Sequence, residues 1–128
     1  MTQEELKKLF VELKTLSSET EWVEFKEAKS GFHFKELGQY FSALSNEANL
    51  KGQPYGWLIF GVSDKTRKIA GTGYRPNRSD LDSLKSEIAN KTTNRITFIE
   101  IYELLLPEGR VIMFQIPAAP KGIPVAWE

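Results

Sequence analysis

An α+β fold, helices packed on a sheet that closes with a hairpin, is what these 128 residues predict, and three observations carry the expectation. Several segments repeat apolar residues at three- and four-residue steps, the spacing of amphipathic helices. The stretch WLIFGV is a short unbroken apolar run, the pattern of a central strand covered on both faces. Near the C-terminus, apolar residues alternate on either side of a Pro-Glu-Gly loop, as in a strand pair. With 41% hydrophobic and 27% charged residues, the composition is that of an ordinary folded chain, and the length suits one domain over 1–128 rather than two.

In order, TQEELKKLFVEL sets Thr2 and Glu5 in capping-box spacing ahead of Leu6, Phe10 and Leu13, predicting an amphipathic helix to about Leu16. After Ser17-Ser18, WVEFK reads as a strand with Trp22, Glu24 and Lys26 on one face and Val23 and Phe25 on the other. Following Ser30-Gly31, the positions Phe34, Leu37, Phe41, Leu44 and Ala48 make the stripe of a helix lying on a sheet. LKGQPYG is a loop before the central strand, and a turn at SDKTR leads to KIAG as a hairpin partner. Ser79 followed by Asp82 opens a third helix, with Leu81, Leu84 and Ile88 inward, that ends near Asn90. Ile96 to Leu106 and Arg110 to Pro117 form the closing pair of strands around Pro107-Glu108-Gly109. The tail PAAPKGIPVAWE holds three of the six prolines and has no period, so it is an extended surface segment or the start of a linker.

Seventeen basic residues balance seventeen acidic ones, which removes the composition-level argument for nucleic-acid binding. The distribution is uneven: Lys65 to Arg95 carries eight basic residues against three acidic ones, while Glu4 to Glu27 is acid-rich. That basic stretch is either a solvated face or a surface that meets an anion. The absence of Cys excludes a disulfide framework and a thiolate metal site, and no early apolar run resembles a signal peptide or a membrane span, so the cytoplasm is the expected address. No P-loop, nucleophile-elbow or H-E-x-x-H motif occurs. The lone His33, between Phe32 and Phe34, is expected to be packed or half-exposed at a helix start, and a Ser-His-Asp triad is set aside with it.

Carboxylates remain. Glu19 and Glu24 are five residues apart, which no regular element puts on one face, so only a bend near Thr20 would bring them together. Asp64 directly follows the central strand, where side chains reach the rim of a core; it is also a common turn residue, and both readings stand.

Glu19-x-x-x-x-Glu24-Phe25-Lys26, the helix after it, the strand ending Phe60-Gly61-Val62-Ser63-Asp64 and a hairpin into Ile116-Pro117 together resemble the Schlafen/AlbA-like DNA-binding domain, from about Ser17 to the C-terminus. The resemblance implies an α+β module whose mixed, mostly antiparallel sheet carries about three helices. It also implies the N-terminal part of a longer bacterial transcription regulator, with nucleic acid as partner and no membrane. Lys26, Lys65, Arg67, Lys68, Arg75 and Arg78 are then the phosphate-contacting residues. Vertebrate members cleave tRNA and rRNA at a three-carboxylate metal site whose positions match Glu19, Glu24 and Asp64. A metal-dependent endoribonuclease is thereby implied, with these three acids as catalytic residues and as ligands of Mg²⁺ or Mn²⁺, and with Lys65 or Lys68 steadying the developing charge. Those enzymes act as pseudo-dimeric pairs, so homodimerisation is expected. One departure is the loop before the central strand, where A-N-T-x-G-G is replaced by the longer NEANLKGQPYGW, with only Gly56 beside the strand. A third expectation, from a different class, is an oligomerisation domain with either exposed Trp22 and Trp127 or the partly apolar terminal hairpin as its protein interface.

Overall fold

The computed structural model describes residues 1–16 and 20–127. Helix α1 (Gln3–Lys14) begins at Thr2 with the expected capping box, Thr2 and Glu5 each satisfying the other's backbone N–H. Strand β1 (Val23–Lys26) leads through helix α2 (Phe34–Leu50) to strand β2 (Tyr55–Phe60). Two short helices, α3 (Arg78–Asp82) and α4 (Leu84–Ala89), precede the antiparallel strands β3 (Glu100–Leu106) and β4 (Gly109–Pro117). The sheet order is β1-β2-β4-β3; β1 and β2 run parallel while the other two pairings are antiparallel. The parallel pair follows from the α2 crossover, since two parallel strands cannot be joined by a tight turn.

Each face of the sheet has its own apolar layer. Leu6, Phe10 and Leu13 of α1 pack on Val23, Phe25, Trp57, Ile59 and Met113. On the other side Leu37, Phe41 and Leu44 of α2, with Leu81, Leu84 and Ile88 of α3 and α4, cover Leu58, Phe60, Ile112 and Phe114. Strand β2 lies between two partners and is buried from Gly56 to Phe60, as an unbroken apolar run requires. Gly56 is where α2 comes closest: a Cβ there would lie 2.7 Å from the carbonyl oxygen of Leu44. The free edge of β3 is covered by Gln3, whose amide donates to the Glu103 carbonyl (2.9 Å) and accepts from the Leu105 N–H (3.0 Å).

Local expectations needed correction. The helix expected to open at Ser79 is capped instead by Asn77, whose side-chain oxygen accepts from the Ser79 N–H (3.1 Å), and Asp82 pairs with Arg78 at 2.8 Å. At Ser83, where the hydroxyl back-bonds to the Asp80 carbonyl (2.8 Å), that helix divides into α3 and α4. KIAG contributes a single bridge, Val62 to Ile69, because Ala70 and Gly71 both donate to the Gly61 carbonyl and turn the chain away. The strand expected from Ile96 starts at Glu100; Thr97 donates to the Lys85 carbonyl (2.5 Å), which ties the preceding segment to α4. Trp22 and Trp127 are half-buried rather than exposed. Trp127 packs edge-on to Phe34 at 5.4 Å and over Gly38, and Trp22 joins the α1 layer. No described helix is long and apolar enough to cross a membrane.

Candidate nucleic-acid interface

The parallel register decides where the candidate residues meet. Lys26 pairs with Phe60, so β1 and β2 end side by side, and Gly61 donates to the carbonyls of Lys26 (2.9 Å) and Glu27 (3.1 Å). Gly61 has φ +94°, and a Cβ on it would lie 2.6 Å from the Arg110 carbonyl oxygen, so only Gly serves at this corner. The chain then makes a tight turn: Arg67 donates to the Ser63 carbonyl and Ser63 to the Lys68 carbonyl, both at 2.9 Å. Among the described residues the hydroxyl of Ser63, not the carboxylate of Asp64, accepts the Thr66 N–H of this turn (3.4 Å). Asp64 is exposed at the C-terminal ends of two parallel strands, a position where sheet proteins commonly present functional side chains.

Strand alternation sends Val23 and Phe25 to the α1 layer and Glu24 and Lys26 to the α2 face. Both are half-buried, with Lys26 Nζ 3.7 Å from Glu24 Oε1. Burial raises the Glu24 carboxyl above its ordinary range, and the charge of Asp64 adds to the effect while Lys26 and Arg67 oppose it. The parallel register sets Asp64, just beyond β2, at the same end of the sheet as Glu24. The Lys26 ammonium, 5.0 Å from the centroid of the Tyr40 ring, is held above its usual range chiefly by Tyr40, with Glu24 and Asp64 adding and burial opposing. Tyr40 of α2 had no sequence signal beyond an aromatic beside the core stripe, and its approach to Lys26 belongs to the helix-on-sheet packing.

The model of the family described as Schlafen, AlbA_2 matches residues 19–126. The chain belongs to this family. Among solved structures, the N-terminal domain of a RecG-related protein from Nitrosomonas europaea aligns with a TM-score of 0.61 at 20% identity, covering 89% of this chain and 73% of that one. The DIP2311 protein of Corynebacterium diphtheriae aligns at 0.57 and 20% identity, over 97% of this chain but only 24% of that one. At such identities the two structures support the fold alone. No curated protein matches. Membership of the Schlafen, AlbA_2 family makes this a nucleic-acid-related domain.

Of the residues that the Schlafen/AlbA resemblance implies, Glu24, Lys26, Asp64 and Arg67 form one neighbourhood, with Lys65 and Lys68 exposed on the same turn. The Arg67 guanidinium lies 4.1 Å from the Phe25 ring centroid and 3.5 Å from the Lys14 carbonyl, so the cation also meets the negative end of the α1 dipole. Arg75 and Arg78 lie elsewhere. Arg75 is bidentate to Glu87 (2.6 and 3.1 Å), and Arg78 pairs with Asp82, Glu100 and Glu103, the last two on β3 at the opposite edge of the sheet. Arg110, which was not singled out from the sequence, binds Glu103 (2.7 Å) and the carbonyls of Tyr74 and Arg75 (2.6 and 2.9 Å), fixing the loop behind the turn. His33 is exposed and makes no side-chain bond to the start of α2.

Glu19 lies outside the described residues, and among the described ones no three His, Cys, Asp or Glu side chains are grouped to hold a metal. Glu24 and Asp64 are hard oxygen donors of the type that Mg²⁺ or Mn²⁺ takes. In chemical type, then, the pair fits such an ion, with Lys26 supplying a cation beside Glu24.

Proposed function

We propose that this chain is a nucleic-acid-binding domain of a transcription regulator, gripping the phosphate backbone through Lys26, Lys65, Arg67 and Lys68. Family membership supports the partner, and the carrying observation is the hydrogen-bonded turn of residues 63–68 beyond the end of β2, at the same end of the parallel strands as Lys26. That the Nitrosomonas relative is named after an ATP-dependent DNA helicase agrees with this. Arg75 and Arg78 contribute less, because withdrawing them would leave Glu87 and Asp82 without their cations. The test is fluorescence anisotropy with duplex DNA and with single-stranded RNA across a salt series. Four phosphate contacts give log K against log salt a slope of about −3.6 on duplex and about −2.8 on a single strand. A flat response overturns the proposal.

A second reading, a metal-dependent endoribonuclease, is favoured by the parallel register, which sets Asp64, just beyond β2, at the end of the sheet where β1 carries Glu24. Here the metal when bound would supply an activated water or a polarised phosphate. Glu24 and Asp64 would hold the ion, with Glu19 as the third acid implied by the family resemblance, and Lys26 would orient Glu24. Incubating end-labelled tRNA in Mn²⁺, beside EDTA and Glu24→Gln lanes, gives fragments only in the first lane if this reading holds. Intact tRNA in all three removes it. Homodimerisation belongs to the nuclease reading and is checked by solution mass.

A further inference from the structure

We infer that α1 carries part of the interface: a groove on the α1 face of the sheet, formed by Lys14 with Thr66, Arg67 and Lys68, receives a phosphate of the bound strand. This rests on the backbone-binding proposal above and extends it to a helix that precedes the family match at residue 19. The groove measures about 520 Å³, and Ile69 and Glu108 complete its lining.

The chemistry converges from two elements. Lys26, Arg75, Arg78, Lys85 and Arg110 each pair with a carboxylate, whereas among the described residues Lys14, Arg67 and Lys68 pair with none. Arg67 stacks on the Phe25 ring and makes one long hydrogen bond to the Lys14 carbonyl, which leaves most of its five N–H donors available. The Thr66 hydroxyl accepts from the Lys68 N–H (3.2 Å), so its own hydrogen is free to donate. The Lys14 ammonium lies over the Phe10 ring, 5.2 Å from its centroid, and Lys14 lines the groove. Three cations, two of them already held against aromatic rings and opposed among the described lining residues by the carboxylate of Glu108 alone, suit an anion that is a point along a polymer.

Salt-dependent anisotropy on duplex DNA and on single-stranded RNA of equal length tests this with five variants. Lys14→Gln should weaken binding and reduce the magnitude of the salt slope by about 0.9 on duplex or about 0.7 on a single strand, while Lys14→Arg restores it. Glu108→Gln should tighten binding, and Lys7→Gln, on α1 but outside the groove lining, should change little. The tighter probe identifies the nucleic acid. If Lys14→Gln matches Lys7→Gln and Glu108→Gln has no effect, while Lys65→Ala still weakens binding, the groove is not part of the interface and the proposed function stands without it. If the wild-type chain binds neither probe, both fall. Should Lys14→Gln melt early, Glu108→Gln decides alone.

Discussion

Arg67 combines a stability role and a proposed binding role, and two substitutions separate them. Its backbone is left-handed, φ +60°, and its guanidinium lies 4.1 Å from the Phe25 ring centroid. Arg67→Ala removes the cation–π contact, about 1 kcal/mol at a half-buried site, while leaving a side chain in a conformation that costs about 1–2 kcal/mol. The 3.5 Å hydrogen bond to Lys14 is long and adds little. Arg67→Gly loses the same contact but escapes the left-handed cost, offset by about 0.4–1 kcal/mol from the freer unfolded chain. The Ala variant should therefore be about 1 kcal/mol less stable than the wild type, a fall of about 4 °C for a chain of this size, and the Gly variant should recover about 0.8 kcal/mol of that at the midpoints of these ranges. Affinity should follow charge alone: both variants reduce the magnitude of the duplex salt slope by about 0.9 and to the same extent. Thermal denaturation and salt-dependent anisotropy measure the two quantities on the same proteins. A Gly variant as unstable as the Ala one would refute the strain argument. An affinity loss that follows melting temperature rather than charge would show that Arg67 merely holds the turn.

Two further outcomes follow from the same structure. Because burial, aided by Asp64, raises the Glu24 carboxyl, the folded chain keeps that proton to higher pH than the unfolded one. The associated stability is full below the unfolded pKa and is lost as pH rises through the folded one, so Glu24→Gln should melt higher than wild type near neutral pH, by a margin that shrinks in acid. A variant less stable at neutral pH would mean that the Lys26 pair outweighs burial. Gly38→Ala, although it gains about 1 kcal/mol of helix propensity, places a Cβ within the ring of Trp127. With overpacking costing about 1–3 kcal/mol, a net loss of about 1 kcal/mol is expected, with red-shifted Trp emission as Trp127 leaves Phe34. A more stable variant would contradict the packing of the C-terminal segment.

Much of the architecture was legible because its signals are local. The Thr2–Glu5 cap, the Leu6-Phe10-Leu13 stripe and the alternation of Val23-Glu24-Phe25-Lys26 report which way side chains point within one element, and the structure keeps each of them. Where neighbours compete, local reading fails. Asn77 outbids Ser79 for the cap because Asp82 is drawn to Arg78, and Thr97 holds its segment to α4 instead of the sheet. Trp127 looked like an exposed interface residue because nothing in PVAWE shows that Gly38, far off in the chain, leaves room for its ring.

By itself, then, the sequence determined the α+β class, the strands that carry Glu24 and Lys26, the family, and the presence of Asp64 at the end of the central strand. Only the tertiary structure decided which charges act together. The parallel pairing of β1 with β2 brings Asp64 toward Glu24, α2 brings Tyr40 to Lys26, and α1 places Lys14 beside Arg67. It likewise commits Arg75 and Arg78 to Glu87 and to the carboxylates around β3. The reason is physical: residue spacing encodes the direction of a side chain, but a charge's field and its partner depend on distances across the fold, which chain pairing alone sets.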